Sequence, residues 1–277
     1  MSAGAEALRV GRIPFLVCAP YFHASLGGLP GVSFTDGPPR ALNALLASGA
    51  IDAAPSSSFE YARNPDDYRL IPGLCTSGRG EVKSVLLLSR APWEELGGKP
   101  VALSPDSDTS NALVRVLSRF RFGVEPGFRP DAGADADVIA RAAIGDAALR
   151  EAATGKWPYR YDLARVWTEW RGTPLPFGVW ILRADAARGK TDAVRGYVRH
   201  LRDALDAFFR DPPAGLAAWK GVYGLPLGED AALDFFSTAD YALTEGHERA
   251  LADFFRLCAE AGLIAKAPDL RWLEEKP

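Results

Sequence analysis

Short apolar runs of strand length alternate along this chain with stretches of helical apolar spacing, and a chain patterned in this way is committed to a mixed α/β fold. Leu8-Arg-Val-Gly-Arg-Ile13 alternates apolar and polar side chains and stops at Pro14, which predicts a strand that delivers Phe15–Tyr21 to its end. Pro39 opens a helix with Leu42, Leu45 and Leu46 on one face, closed at Gly49. Ala50–Ala54 is then a short buried strand that breaks at Pro55 into Ser56-Ser57-Ser58 and a helix through Phe59, Tyr61 and Ala62. The apolar run Ser84–Ser89 is a further strand, and Pro92 with Gly97-Gly98 marks a change of unit.

A second series begins at Val101-Ala-Leu103, which runs into Ser104-Pro-Asp-Ser-Asp-Thr-Ser110 and a helix carrying Leu113, Val114, Val116, Leu117 and Phe120. Asp137–Ile139, Ala143–Asp146 and Phe177–Leu182 are strand-like, with a helix over Asp162–Trp170. From Asp185 the pattern is helical, first through Val194–Phe208 up to Pro212-Pro213, then through Ala250–Ala261 with Gly262 as cap. The expected architecture is therefore two α/β lobes: residues 1–90 together with the mostly helical 183–277, and residues 91–182, joined by two crossing strands. Loops at the carboxyl ends of the strands then face a shared crevice, where ligands of such folds bind. The Gly/Pro stretches at 27–31 and 123–130 read as surface connections.

Of the 277 residues 48% are hydrophobic, enough for a sizeable core, and 32 Lys+Arg against 35 Asp+Glu leave a net charge of −3, which advertises neither nucleic-acid binding nor an acidic tail. Met1–Val10 has no apolar run behind a basic region and no stretch has the length of a membrane span, so a cytoplasmic protein without a membrane partner is expected. Cys18, Cys75 and Cys258 lie far apart, as do His23, His200 and His247. No metal, nucleophile-elbow or phosphate-loop motif occurs.

Chemistry is most legible at Ser104–Ser110. Hydroxyls and N–H groups gathered at a helix start form an anion site, making Thr109 and Ser110 candidates for a carboxylate; capping by Ser107, Asp108 or Thr109 is the competing reading. Ser56 and Ser57 form a second donor cluster where a strand meets a helix, or an ordinary turn. Together the clusters suit a small dicarboxylate held across a cleft. Gly145-Asp146 offers a backbone contact or an acid/base carboxylate, or else an N-cap. Cys18 and His23 follow the first strand, where a small buried thiol and a loop histidine are the simpler readings. Tyr21, Trp157, Trp167, Trp170 and Trp180 would provide either a flat wall for a ring or ordinary core.

In this order the segments resemble the chorismate dehydratase family of the futalosine route to menaquinone. The resemblance rests on Arg9–Ile13 with Pro20-Tyr21, Gly49–Ser57 with Glu60–Asn64, Ser84–Ser89, Val101–Pro105 with Thr109-Ser110, Ile144–Asp146 with Ala148-Leu149, and Tyr161–Leu163 with Trp167. It covers most of residues 8–185. It implies a type 2 periplasmic-binding-protein fold and the cofactor-free loss of water from chorismate to give 3-[(1-carboxyvinyl)oxy]benzoate. It also implies that Ser84 contacts substrate near the reacting centre and that a carboxylate of the substrate serves as base. One position departs: where the family reads Leu-Asn, with the Asn amide regarded as catalytic, this chain reads Leu16-Val17. Either Cys18, Ser57 or Tyr21 replaces that amide, or the protein binds a chorismate-like acid without dehydrating it. The sister enzyme of the route, which makes 1,4-dihydroxy-6-naphthoate from a cyclic nucleoside precursor, shares the implied fold.

Overall fold

The computed structural model describes residues 7–131 and 138–274, so Asp137 of the anticipated strand at 137–139 lies outside the described residues. β1 (Leu8–Arg12) delivers the chain to a helical turn at Leu16–Cys18 and to α1 (Ala19–Phe22). Then come β2 (Val32–Asp36), α2 (Pro39–Ala47), β3 (Ala53–Ser57), α3 (Ser58–Arg63) and the long β4 (Tyr68–Gly78). The chain crosses to a second sheet as β5 (Val85–Ser89). It continues there through β6 (Pro100–Leu103), α4 (Asp108–Val116), β7 (Gly127–Pro130), β8 (Ala140–Ile144), α5 (Gly145–Ala153), β9 (Tyr159–Asp162) and α6 (Leu163–Arg171). It returns as β10 (Gly178–Arg183) and ends in α7 (Ala184–Gly189), α8 (Thr191–Arg210), α9 (Pro212–Tyr223), α10 (Glu229–Thr238), β11 (Ala239–Ala242) and α11 (Glu245–Glu260).

Among the described residues the strands form two sheets, ordered β11-β4-β10-β3-β1-β2 and β7-β6-β8-β5-β9. β1 lies parallel to β2 and β3, and β6 parallel to β7 and β8. The two strands that arrive from the opposite sheet insert antiparallel: β5 between β8 and β9, and β10 between β3 and β4. Sheet membership thus changes between Gly78 and Val85 and again between Asp162 and Gly178. β5 was expected with the strands before residue 90, yet it sits inside the second sheet. All five of its residues are buried, so both its edges and both its faces need cover, which an interior position supplies.

Pro55 does not end a strand as anticipated; β3 runs through it to Ser57. β3 pairs with β1 only at Val10↔Ala53, so beyond Ala53 its ladder is with β10 and a residue lacking an N–H is tolerated on the open side. The strands β2, β7 and β9 escaped sequence reading because they are largely exposed and polar, and β4 because Pro72-Gly73 interrupts it. The helical readings were closer. On α8 the buried side chains Val194, Tyr197, Val198, Leu201 and Phe208 form the anticipated stripe, each contributing about 1.5–3 kcal/mol by its burial. No helix among the described residues is long and apolar enough to cross a membrane.

One carboxylate fixes the crossing into the second sheet. Asp162 Oδ2 accepts the Val82 and Lys83 N–H groups at 3.0 and 2.7 Å, while Oδ1 accepts those of Ala164 and Arg165 at 3.0 and 3.2 Å and so caps α6. Lys83 is the one non-glycine residue with positive φ among the described residues, at 56°. That backbone is costly for a side chain bearing a Cβ, and the charge-assisted bond to its N–H helps hold it. Asp162→Ala strands four donors, two of them at the crossing. We expect a loss of about 2–4 kcal/mol in urea unfolding, against little change for the exposed neighbour Arg160→Ala.

Candidate functional site

The carboxyl ends of β1, β3 and β8 and the amino ends of β5, β10 and α4 converge on a cavity of about 80 Å³ between the two sheets. Its polar wall consists of Ser56, Ser57, Thr76, Ser84, Ser107 and Ser110. Phe15, Val17, Ile144 and Phe177 supply apolar cover. Gly145 approaches Phe15 closely: its φ is +59°, and a Cβ there would lie 2.8 Å from the Phe15 ring.

The hydroxyls divide into those that already have partners and those that do not. Ser107 caps α4, its Oγ accepting the Ser110 N–H at 3.2 Å and lying 2.9 Å from Ser110 Oγ. Ser57 Oγ accepts the Thr109 N–H at 3.0 Å and is 2.7 Å from Thr109 Oγ1, which in turn accepts the Phe59 N–H at 3.1 Å. Thr109 is fully buried and is not on the cavity wall, so its hydroxyl fastens the lobes to each other rather than facing a ligand. Arg63 and Asp108 add an ion pair at 3.0 Å across the same boundary. By contrast Ser56 Oγ is buried against the cavity with no hydrogen-bond partner, and Ser84 Oγ on the same wall has none either. A buried hydroxyl without a partner is costly, so an unpaired one facing a cavity marks where a ligand's polar atom belongs.

Other anticipated site residues serve the scaffold. Tyr21 is fully buried, donates to the Cys75 carbonyl at 2.6 Å and packs edge-on against Trp180 with ring centroids 5.3 Å apart. Trp157, Trp167, Trp170 and Trp180 are likewise off the cavity wall, whose aromatic members are Phe15 and Phe177. His23 stacks edge-on against Phe208 at 5.3 Å, away from the cavity. Cys18 does line the cavity, but burial and the nearby Asp146 push its thiol far up, so it stays a neutral, unreactive wall atom. Val17 also lines the cavity, and its carbonyl is fixed by the Tyr241 hydroxyl at 2.8 Å. Among the described residues no group of three or more His, Cys, Asp or Glu is placed to hold a metal ion.

The chain has the overall fold of protein AF1704 from Archaeoglobus fulgidus (TM-score 0.67, 20% identity, 94% of this chain and 100% of that one). It also resembles the periplasmic aliphatic sulphonate binding protein SsuA from Escherichia coli (TM-score 0.67, 18% identity, 96% of each chain). The Candida albicans CA3427 gene product, which has the generic periplasmic binding protein fold, is similar with TM-score 0.65, 11% identity and 98% of each chain covered. These likenesses establish the anticipated two-lobed periplasmic-binding-protein-like fold. At the level of sequence, residues 8–260 match the family described as menaquinone biosynthesis. The chain belongs to that family.

Within this menaquinone biosynthesis family member, sequence reading missed Phe15, Thr76 and Phe177 as cavity residues. Phe15 was visible only as the residue delivered by the first strand, and Phe177 as the first residue of the strand expected at 177–182; nothing local distinguishes either from core. Asp146, read as a contact or acid/base group, instead accepts the Leu16 N–H at 3.0 Å and is not on the cavity wall. Burial raises its carboxyl above the ordinary range, against the lowering effect of that bond and of Arg150. A folded-state value above the unfolded one means that the charged form penalises folding at neutral pH, and that this penalty vanishes below the unfolded value of about 3.9. Asp146→Asn keeps an oxygen for the Leu16 N–H and removes the charge. It should be more stable than wild type at pH 7, with the gain fading as the pH falls toward that value; a variant less stable at pH 7 in parallel urea titrations contradicts this.

Proposed function

We propose that this protein is a chorismate dehydratase, taking water from chorismate to leave 3-[(1-carboxyvinyl)oxy]benzoate. The observation that carries the reading is Ser56 Oγ, buried and unpartnered on an otherwise largely apolar cavity wall, with Ser84 Oγ free beside it on that wall. Menaquinone biosynthesis supplies the family context. The aliphatic sulphonate binding protein, by its name a binder of organic anions, shares the fold and supplies an analogy only.

The chemistry needs little from the protein beyond placement. A ring C–H bond and the bond to the ring hydroxyl break, the C–H electron pair enters the ring, and the ring becomes aromatic. No Asp, Glu, His, Lys or Arg is among the described residues lining the cavity, and the Cys18 thiol stays protonated. As the family resemblance implies, the proton would go to a carboxylate of the substrate, which passes it to the departing hydroxyl as water leaves. Ser56, Ser84 and Ser110 would hold the substrate's oxygens, while Phe15, Val17 and Phe177 cover its ring and keep water out. A cavity of about 80 Å³ is small beside the roughly 300 Å³ and upward of typical ligand sites. Entry thus requires the Ser57–Thr109 and Arg63–Asp108 contacts to part and re-form over the ligand. On this reading the protein works in the cytoplasm, which cell fractionation checks.

Val17 supports a second reading, binding without turnover, because its isopropyl group lies on the wall where the family uses an amide. Loss of one donor to a leaving group costs about 10²–10³ in rate. Purified protein incubated with chorismate should lose the diene absorbance and gain the aromatic product, and Val17→Asn should do so faster. Binding by wild type without turnover, with turnover only in the variant, establishes the second reading; a nucleoside precursor as the sole substrate points to the sister enzyme. Ser56→Ala separates site from scaffold. It removes a hydroxyl that folding leaves unpaired, so stability should be unchanged or higher by about 1 kcal/mol, while chorismate binding weakens roughly tenfold.

A further inference from the structure

We propose a second binding site, remote from the cleft, for a nucleoside phosphate. A groove of about 700 Å³ runs along α7 and α8 against β4 and the C-terminal segment, and it shares no lining residue with the cleft cavity. Arg69, Arg188, Arg195, Arg199 and Arg202 line it, with Glu274 as the only carboxylate on its wall among the described residues. In a chain of net charge −3 this concentrates cationic charge on one face of one lobe.

Internal pairing among the described residues does not account for Arg188, Arg195 and Arg199, whereas Arg69 and Arg202 have partners. Among the described residues no carboxylate lies within ion-pair distance of Arg188 or Arg199, and Arg195 reaches only the exposed Asp192, at 3.7 Å. Arg69 spends a donor on the neighbouring Tyr68 carbonyl at 2.7 Å, and Arg202 donates to the Pro72 carbonyl at 3.3 Å. Arg195, Arg199 and Arg202 stand one turn apart on α8, along the edge of the buried Val194–Val198 stripe. Like charges at that spacing repel, a cost that a bound multivalent anion removes. Guanidinium forks match phosphate oxygens in pairs, whereas a single carboxylate would leave most of the donors unused.

The groove floor identifies the rest of the ligand. Trp272 lies there half-buried, and its strand segment is pinned to β4 by Leu70 N–H to the Arg271 carbonyl and Leu273 N–H to the Leu70 carbonyl, both at 2.8 Å. A flat aromatic held rigidly beside a row of cations suits a planar base attached to phosphates. The groove volume lies in the range of small-molecule sites.

The test is calorimetric titration at low ionic strength with ADP, pyrophosphate and adenosine. ADP should bind saturably and more tightly than pyrophosphate, and adenosine weakly. Arg195→Gln/Arg199→Gln should weaken ADP roughly tenfold or more, and added salt should do likewise. Trp272→Leu should weaken ADP and leave pyrophosphate unchanged. Both variants change the groove and not the cleft, so their chorismate affinity and melting temperature report that the fold is intact. No ADP binding, or ADP binding indifferent to the double substitution, overturns the site; pyrophosphate binding as tightly as ADP overturns the ligand class.

Discussion

Asp162 does more than cap a helix. Its second oxygen holds the N–H groups of Val82 and Lys83, and through them the left-handed Lys83 backbone, at the point where the chain enters the second sheet. Ser84 comes next. Its carbonyl accepts the Gly145 N–H at 2.7 Å, and its hydroxyl stands on the cavity wall. Three links follow in order: a carboxylate fixes a strained peptide, that peptide sets the entry of β5, and the entry of β5 joins Ser84 to Gly145 at the start of α5. Strain of about 1–3 kcal/mol persists where its surroundings over-determine it, and here the surroundings are one charge and four N–H groups.

The contacts that close the cleft are of a different kind. Ser57, Thr109 and the Phe59 N–H form a neutral network, supplemented by one partly exposed ion pair between Arg63 and Asp108. Each neutral bond is worth only about 0.5–1.5 kcal/mol net, because water satisfies the same groups when the lobes separate. On the proposed reading, in which the cleft opens to admit substrate, these contacts hold it shut only weakly, and a ligand preferring the closed form need supply only a few kcal/mol to shift the population. Ser56 Oγ, buried here without a partner, would favour such a ligand specifically.

The sequence disclosed the α/β pattern and the positions of both serine clusters, because strand alternation, helix stripes and donor-rich turns are local signals. It did not disclose which hydroxyls remain available. Thr109 and Ser56 looked alike as donors at strand-to-helix junctions, and what separates them is a partner 52 residues away from Thr109 that no local pattern encodes. Tyr21 stayed open between ring wall and core for the same reason: its hydroxyl is consumed by a carbonyl 54 residues away. Pro55 shows the converse case, a local breaker overridden because the neighbouring strand β1 stops before it. Ser84, assigned by resemblance, does stand on the cavity wall, but its orientation depends on Asp162, which was legible only as part of a matched motif.

A cavity with hydroxyls and no cation among its described lining residues is at first sight a poor place for a dianion, since carboxylates are usually met by Arg or Lys. For a reaction in which the substrate supplies its own base, the relation reverses. An adjacent guanidinium would lower the carboxylate's pKa and weaken it as a base, whereas desolvation against Phe15, Val17 and Phe177 raises it. Neutral donors such as Ser56 and Ser84 can orient the oxygens with a smaller loss of basicity than a full positive charge would impose. Val17 then acts in two opposed ways on the proposed chemistry. It withholds a hydrogen bond from the departing hydroxyl, and it makes the pocket more apolar around the carboxylate that must take the proton.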